Sequence, residues 1–322
     1  MSHIKIHHDG EISENEVTPE SVYMNRRRFL QGVGTLGLYS VALWAGCTGK
    51  PPDEADYRIT LSAAERAVFP AARNDRFTLD RPLTAEDVAA RYNNFYEFTE
   101  TKEDVRVHAQ ALQTRPWSVA VTGLARKPRR FDIDELLRTM PLEERLYRLR
   151  CVEAWGMAVP WTGFPLKALL DQVEPLGKAT HVRLKSFYKP FTAQGQLAFW
   201  HPWPYTEGLT MPEAMNELSF LAVGIYGHPL PKQHGAPIRL AVPWKYGYKS
   251  IKSIVEIELT DYRPNTFWTT AQGMEYDFMA NVNPRVPHPR WSQAREKMIG
   301  TGRILPTRIY NGYGQYVAGL YT

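Results

Sequence analysis

An α+β fold with mixed sheets and loop-rich connections is the class this sequence predicts, on three observations. Apolar–polar alternation recurs in short runs, WSVAVTGLARKPRRF, RLYRLRC, THVRLKSF, PIRLAVPW and IKSIVEIELT among them. Long helical patterns are few. Twenty-four prolines punctuate the chain, so connections are many. Short strands with a few capped helices make a layered α+β domain.

Taken in order, LTAEDVAARYNNFYEF opens with Thr84 and carries Asp87 three residues on, a capping-box pattern ahead of a helix. Asn93 and Asn94 suit the C-terminal end of that helix. WSVAVTGLARKPRRF reads as a strand running into a Gly and Lys-Pro turn. DIDELLRTM is a second capped helix, with Asp132 and Glu135 as its box. RLYRLRC alternates, which sets Tyr147, Leu149 and Cys151 on one face of a strand and Arg148 and Arg150 on the other. Pro165 stands in the first turn of the helix PLKALLDQV.

Composition bounds the function classes. With 43% hydrophobic and 12% aromatic residues the chain is globular. The net charge of +5 is scattered, and no basic block interleaved with aromatics suggests nucleic acid. Three stretches differ in character: an export signal over 1–47, a tether and lead-in over 48–75, and a catalytic domain over 76–322. The signal reading rests on NRRRFLQ followed by GVGTLGLYSVALWAGC, a basic patch before an apolar run short of the roughly 20 residues that span a bilayer. Arg26 and Arg27 with Phe29 and Leu30 resemble the twin-arginine signal, whose route carries folded proteins. A membrane anchor with a basic flank is the alternative. Cys47 raises lipidation, and Trp44 argues against it, so a cleaved signal is expected.

Cys151 is then the one thiol left in an oxidising compartment, where disulfides need pairs. Either it is an inert buried side chain or it is a thiolate held by a metal. No Cys-x-x-Cys or His-Glu-x-x-His is present and the nine histidines are dispersed, so a four-ligand structural zinc does not fit. One soft thiolate suffices where a cofactor supplies most of the coordination sphere, as with molybdenum in a pterin dithiolene.

YNNFYEF at 92–98, RCVEAWGMAVPWTGFPL at 150–166, LPKQHGAPIRLAVPWKYGYKSIKSI at 230–254 and NGYGQYVAGLY near the end carry a resemblance. Together they resemble the catalytic subunits of bacterial protein-methionine-sulfoxide reductases, periplasmic molybdoenzymes of the sulfite oxidase fold, from about residue 55 onward. The resemblance implies molybdenum-molybdopterin with one pterin, Cys151 as its catalytic metal ligand, and Asn93, Tyr96 and Glu97 as a first pterin contact. Ser186 falls where the family usually has threonine and His234 where it commonly has asparagine; Arg239, Ser250, Ile251 and Lys252 complete the set. It also implies a periplasmic location, protein substrates bearing oxidised methionine, and a membrane-bound haem subunit that oxidises quinol, since no Cys-x-x-Cys-His is present.

Residue chemistry gives partial support. An amide, a carboxylate and a phenol can pair with a donor-rich pterin ring, although Asn93 could equally end a helix and Tyr96 fill the core. Arg239, Lys245, Lys249 and Lys252, with Gly247 allowing a tight backbone, suit a pterin phosphate; a plain basic loop is the alternative. Trp155, Trp161, Trp244 and Tyr246 could rim a substrate site, but core packing is the heavier reading. The rivals are a sulfite oxidase-like enzyme and an exported binding protein without a cofactor. Sulfite is a dianion that calls for arginines at the metal, whereas Arg148 and Arg150 should face away from Cys151; sulfite oxidases also typically follow their cysteine with Ala-Gly-Asn, where Val-Glu-Ala-Trp stands here.

Overall fold

The computed structural model describes residues 61–322, so the signal reading of 1–47 and the start of the 48–75 stretch lie outside the described residues. Two mixed sheets form the frame, as the α+β prediction requires. The first contains β1 (Ser118–Gly123), β2 (Arg129–Asp132), β5 (His181–Ser186), β6 (Thr206–Thr210) and β10 (Ile254–Thr260), ordered β2-β1-β10-β5-β6. Its β1–β10 pair is parallel and the rest antiparallel.

The second sheet is built on β4 (Trp155–Pro165), flanked by β3 (Glu143–Arg150), β7 (Phe220–Ile225) and the parallel strand β11 (Arg295–Met298). The short strands β8 (His228–Pro229) and β9 (Arg239–Ala241) extend it from β7, and β12 (Ile304–Pro306) from β11. β4 is buried at every position but its last, which is why it reads as a continuous apolar run.

Helices are short. Leu166–Val173 follows Pro165 as expected and buries Leu166, Leu169, Leu170 and Val173 at helical spacing. No described helix is long and apolar enough to cross a membrane. A further helix, Ala63–Val68, lies inside the stretch read as lead-in; it is closed by a capping box between Ser62 and Glu65, and Ala64 and Val68 pack on the core.

Two capping expectations are corrected. The helix after Thr84 runs over Glu86–Ala90 with Ala85 at its N-cap and no side-chain cap. Thr84 instead binds the edge of β4: its amide donates to Ala158 O (2.8 Å), and its hydroxyl accepts from Ala158 N (3.1 Å). A buried strand amide outcompetes a helix terminus that water can satisfy. Asp132 does cap Ile133–Thr139 by accepting from Asp134 N (2.8 Å), but Glu135 pairs with Arg129 at 2.5 Å, so that box stays open.

Alternation in β3 holds, with one change of meaning. Arg148 and Arg150 do face away from the thiol side, yet both are buried and paired, Arg148 with the exposed Asp80 and Arg150 with the buried Glu296. Arg148 pairs with Asp80 at 2.5 Å. Arg150, with no exposed surface, lies 3.2 Å from Glu296, which also holds Arg81 at 2.7 Å.

Candidate active site

The β3–β4 hairpin presents Cys151. Its amide donates to Trp155 O (2.9 Å), Ala154 N returns to Cys151 O (3.2 Å), and Ala154 takes the left-handed conformation at φ 62° to close the turn. The side chain is 6% exposed, enough to line a cleft of about 930 Å³, the open mouth included.

That cleft gathers Cys151, Asn93, Tyr96, Glu97, His234, Arg239, Ser250, Ile251 and Lys252 from four separate stretches of chain. Ser186 stands apart. It ends β5, buried behind Glu97, and its hydroxyl has no aligned hydrogen-bond partner although it bears on the Glu97 carboxyl. Asn93 does two things at once: its amide donates to Ala89 O (3.2 Å) and Ala90 O (3.0 Å), ending the helix, while the residue lines the cleft.

The cleft wall carries two basic groups, Arg239 and Lys252, and two carboxyls, Glu97 and Glu153. Arg239 is buried and donates only to carbonyls, of His234 (2.9 Å), Ser250 (3.1 Å) and Leu240 (3.3 Å), with its guanidinium 4.7 Å from the Trp161 ring centre. Lys252 donates to Asn94 O at 2.6 Å. Neither enters an ion pair among the described residues. Burial draws Lys252 below the ordinary lysine range and Arg239 repels it further, while burial lifts the Glu97 carboxyl. Burial, and then Arg239 and Lys252, push the His234 imidazole down to about 3, so it is neutral at any physiological pH. Gly235, at φ 96°, leaves space for the Lys252 stem: a Cβ there would stand 2.6 Å from Lys252 Cβ.

Lys245 and Lys249 are corrections. Both are fully buried and committed elsewhere, Lys245 to Glu213 (2.5 Å) and Lys249 to Glu207 (2.7 Å), because a buried carboxylate needs a counter-charge. Neither lines the Cys151 cleft. Gly247 does line it, but the nearest atom to an added Cβ, Arg150 O, is at an ordinary 3.6 Å, so the expected tightness is absent. Ser250 at φ −86° occupies backbone space open to any residue. Of the four aromatics, Trp155 and Trp161 line the cleft; Trp244 and Tyr246 are core, and Trp244 donates to Tyr321 OH at 2.8 Å.

Two further residues stand at the thiol. Asn94 Nδ2 lies 3.6 Å from Cys151 Sγ and 3.4 Å from Glu153 Oε2. Glu153 donates its amide to Sγ (3.5 Å) and accepts from Trp155 Nε1 (2.9 Å), with Lys102 Nζ at 3.3 Å. The signal for Glu153 was its position two residues past the thiol; Lys102 comes from a loop that nothing in the pattern ties to it.

A clamp fixes this turn from behind. Val152 O accepts from Trp291 Nε1 (2.8 Å) and Gln293 Nε2 (2.6 Å); Gln293 Oε1 accepts from Arg150 Nη2 (2.7 Å), and Arg150 Nη1 donates to Cys151 O. Gln293→Met keeps the volume and removes both polar ends. Loss of such support costs about 10- to 100-fold in metal affinity or activity, read as metal per chain and catalytic turnover. Full metal and full turnover would mean the clamp positions nothing.

Donor chemistry fits a metal–pterin group. Among the described residues no set of three or more His, Cys, Asp or Glu gathers, so a protein-only metal cage is not available there. Burial and then the Glu153 carboxylate push the Cys151 thiol up to about 12, so it needs a strong cation to become a thiolate. Arg239 and Lys252 are buried basic groups with no ion-pair partner among the described residues, which an anion would satisfy, and the buried Ser186 hydroxyl makes no aligned hydrogen bond.

Residues 106–268 match the family described as oxidoreductase molybdopterin binding domain. Two curated relatives, from Gluconobacter oxydans and Burkholderia mallei, are each named protein-methionine-sulfoxide reductase catalytic subunit MsrP. The first is 45% identical over 95% of this chain and 94% of its own, the second 45% identical over 97% and 93%. Among solved structures, the sulfane dehydrogenase SoxCD from Paracoccus pantotrophus aligns with 68% of this chain and 57% of its own at 18% identity and a TM-score of 0.42, too distant to argue from.

Proposed function

This chain belongs to the family of protein-methionine-sulfoxide reductase catalytic subunits, molybdenum–molybdopterin oxidoreductases, and we propose that its Cys151 cleft is where methionine sulfoxide in proteins is reduced. One observation carries the assignment of residues. A lone thiol and two buried basic side chains, neither within ion-pair distance of a carboxylate among the described residues, come from distant stretches to line a single cleft.

When bound, the molybdenum–pterin group supplies oxygen-atom transfer: the sulfoxide S–O bond breaks, the thioether leaves, and two electrons and two protons carry the oxygen away as water. Cys151 holds the metal from the end of β3. Arg239 and Lys252 meet the phosphate of the pterin, Arg239 with a fork and Lys252 with a point charge. Glu97, Asn93 and Tyr96, which line the cleft, would hold the ring system, with Ser186 supporting Glu97. His234, neutral, offers a donor and an acceptor rather than a charge. Ser250 and Ile251 shape the wall beside Arg239. Trp155, bonded to Glu153 beside the thiol, would help exclude water there, and Trp161 packs against Arg239.

We further propose that the chain works in the periplasm after twin-arginine export with cleavage of the signal. Its electrons come from a membrane-bound haem subunit that oxidises quinol, and its task is repair of oxidised methionine in envelope proteins. Support for this is the Arg26–Arg27 pattern and the name of the relatives as catalytic subunits.

The sulfite reading finds little support. Arg148 and Arg150 pair with Asp80 and Glu296, and among the described residues Arg239 is the one arginine lining the Cys151 cleft. Turnover of methionine sulfoxide with a reduced viologen, compared with sulfite and a cytochrome acceptor, tests the assignment. We expect the first alone; sulfite activity alone would overturn it. Metal analysis of the purified protein removes the cofactor-free binding protein, for which no molybdenum would be found.

A further inference from the structure

Eleven large hydrophobic side chains stand exposed among the described residues, and five of them, Tyr188, Phe191, Leu197, Phe199 and Trp200, fall within the one segment 188–200. Phe191 is 95% and Phe199 88% exposed. Isolated surface hydrophobes need no explanation, but apolar exposure concentrated in one segment, with Phe199 and Trp200 in ring contact, marks an interaction site. The cluster also has a definite address. Leu197, Trp200 and His201 line a shallow cleft with Tyr96 and Glu100. Tyr96, Glu100 and His201 in turn line a second cleft with Glu153, Trp268 and Tyr276, and Tyr96, Glu153, Trp268 and Tyr276 are walls of the Cys151 cleft itself. Ring contacts trace the same path, from Phe199 to Trp200 (5.2 Å), Trp200 to His201 (6.1 Å), His201 to Trp268 (6.3 Å) and Trp268 to Tyr96 (5.1 Å). A chain of ring contacts therefore leads from Tyr96, in the wall of the Cys151 cleft, to Phe199 and Trp200.

We infer that the 188–200 face seats apolar residues flanking the oxidised methionine of a substrate polypeptide, while the sulfoxide side chain enters the Cys151 cleft. This rests on the reading of the cleft as the sulfoxide site. A side chain presented on a protein brings its neighbours to the rim of whatever cleft it enters, and here the rim runs on into the aromatic face. The chemistry of the occupant follows from methionine itself. It is an apolar residue of cores, and its oxidation disrupts the core around it, leaving apolar neighbours in the open. Phe199, Trp200 and Phe191 supply flat apolar area for such side chains at low entropic cost.

Three substrates with a reduced viologen donor separate the possibilities: N-acetylmethionine sulfoxide, a short peptide with leucine and phenylalanine around methionine sulfoxide, and the same peptide with serine and glycine there. Burying one such side chain is worth about tenfold or more, so the apolar peptide should exceed the polar one by about tenfold in kcat/KM. In the exposed double variant Phe199→Ser, Trp200→Ser that advantage should fall below about twofold, with N-acetylmethionine sulfoxide turnover and molybdenum content unchanged. A variant that keeps the full advantage overturns the inference. So does one that loses only quinol-driven turnover in membranes while all three viologen rates persist, because the face would then serve the electron donor. A wild-type protein that reduces none of the three refutes the underlying sulfoxide reading instead.

Discussion

Cys151→Ser yields a folded protein without molybdenum and with sulfoxide turnover at background. The substitution is nearly isosteric, and the hairpin is held by backbone groups that it leaves alone: the Cys151 amide on Trp155 O, and the clamp on Val152 O. What changes is the donor. A serine hydroxyl is hard and stays protonated, whereas a sulfur-rich coordination sphere favours a soft thiolate. Elemental analysis and a melting curve on the same preparation give the answer: metal absent with Tm nearly unchanged is expected, and molybdenum equal to wild type would end the assignment of Cys151 as the ligand.

Lys249→Met should destabilise the protein by about 3–5 kcal/mol at neutral pH, a fall in Tm on the order of 10 °C for a domain of this size. Glu207 and Lys249 are both fully buried, with 2.7 Å between Nζ and Oε2 in a geometry better for charge than for a hydrogen bond. Besides the lysine, Glu207 accepts only from Gly208 N, at 3.2 Å. Burial already lifts the Glu207 carboxyl above the usual range against the pull of Lys249, and removing the lysine lifts it further. A carboxyl whose folded pKa lies above its unfolded one costs nothing below the unfolded value, because both states hold the proton. The cost grows as pH rises toward the folded value and is complete above it. The Tm gap between variant and wild type should therefore be narrow near pH 4–5 and wide near pH 8, and Glu207→Gln in the variant should close part of it. A gap independent of pH would place the damage in lost packing, including the contact of Lys249 with the Phe278 ring at 4.4 Å.

Local patterns were readable where one residue type answers one local need. β1, β5 and the helix after Pro165 follow their alternation or spacing closely, whereas β10 breaks it at a register shift between Ile254 and Glu256. Thr84 was misread because its partner, the buried amide of Ala158, is 74 residues away. Lys245 and Lys249 share a segment with Arg239 and Lys252, and nothing local tells them apart. Their fates are decided by Glu213 and Glu207, which come from the β6 region of the chain. Asn94, Glu153 and Lys102 gather at the thiol through loop geometry, a long-range property that neither periodicity nor the resemblance addresses. The cleft residues themselves were legible chiefly through the resemblance, since spacing alone leaves each with an ordinary structural alternative.

β4 leaves the ligand turn and stays interior for ten consecutive residues. Any change that retunes the metal from this strand is therefore also a change to the folding core, and the two demands cannot drift independently. The exposed side chains of the 188–200 loop, Tyr188, Phe191, Leu197, Phe199 and Trp200, are under no such double constraint. A laboratory seeking altered substrate range should vary those positions and leave untouched the hairpin and Trp291, which clamps it.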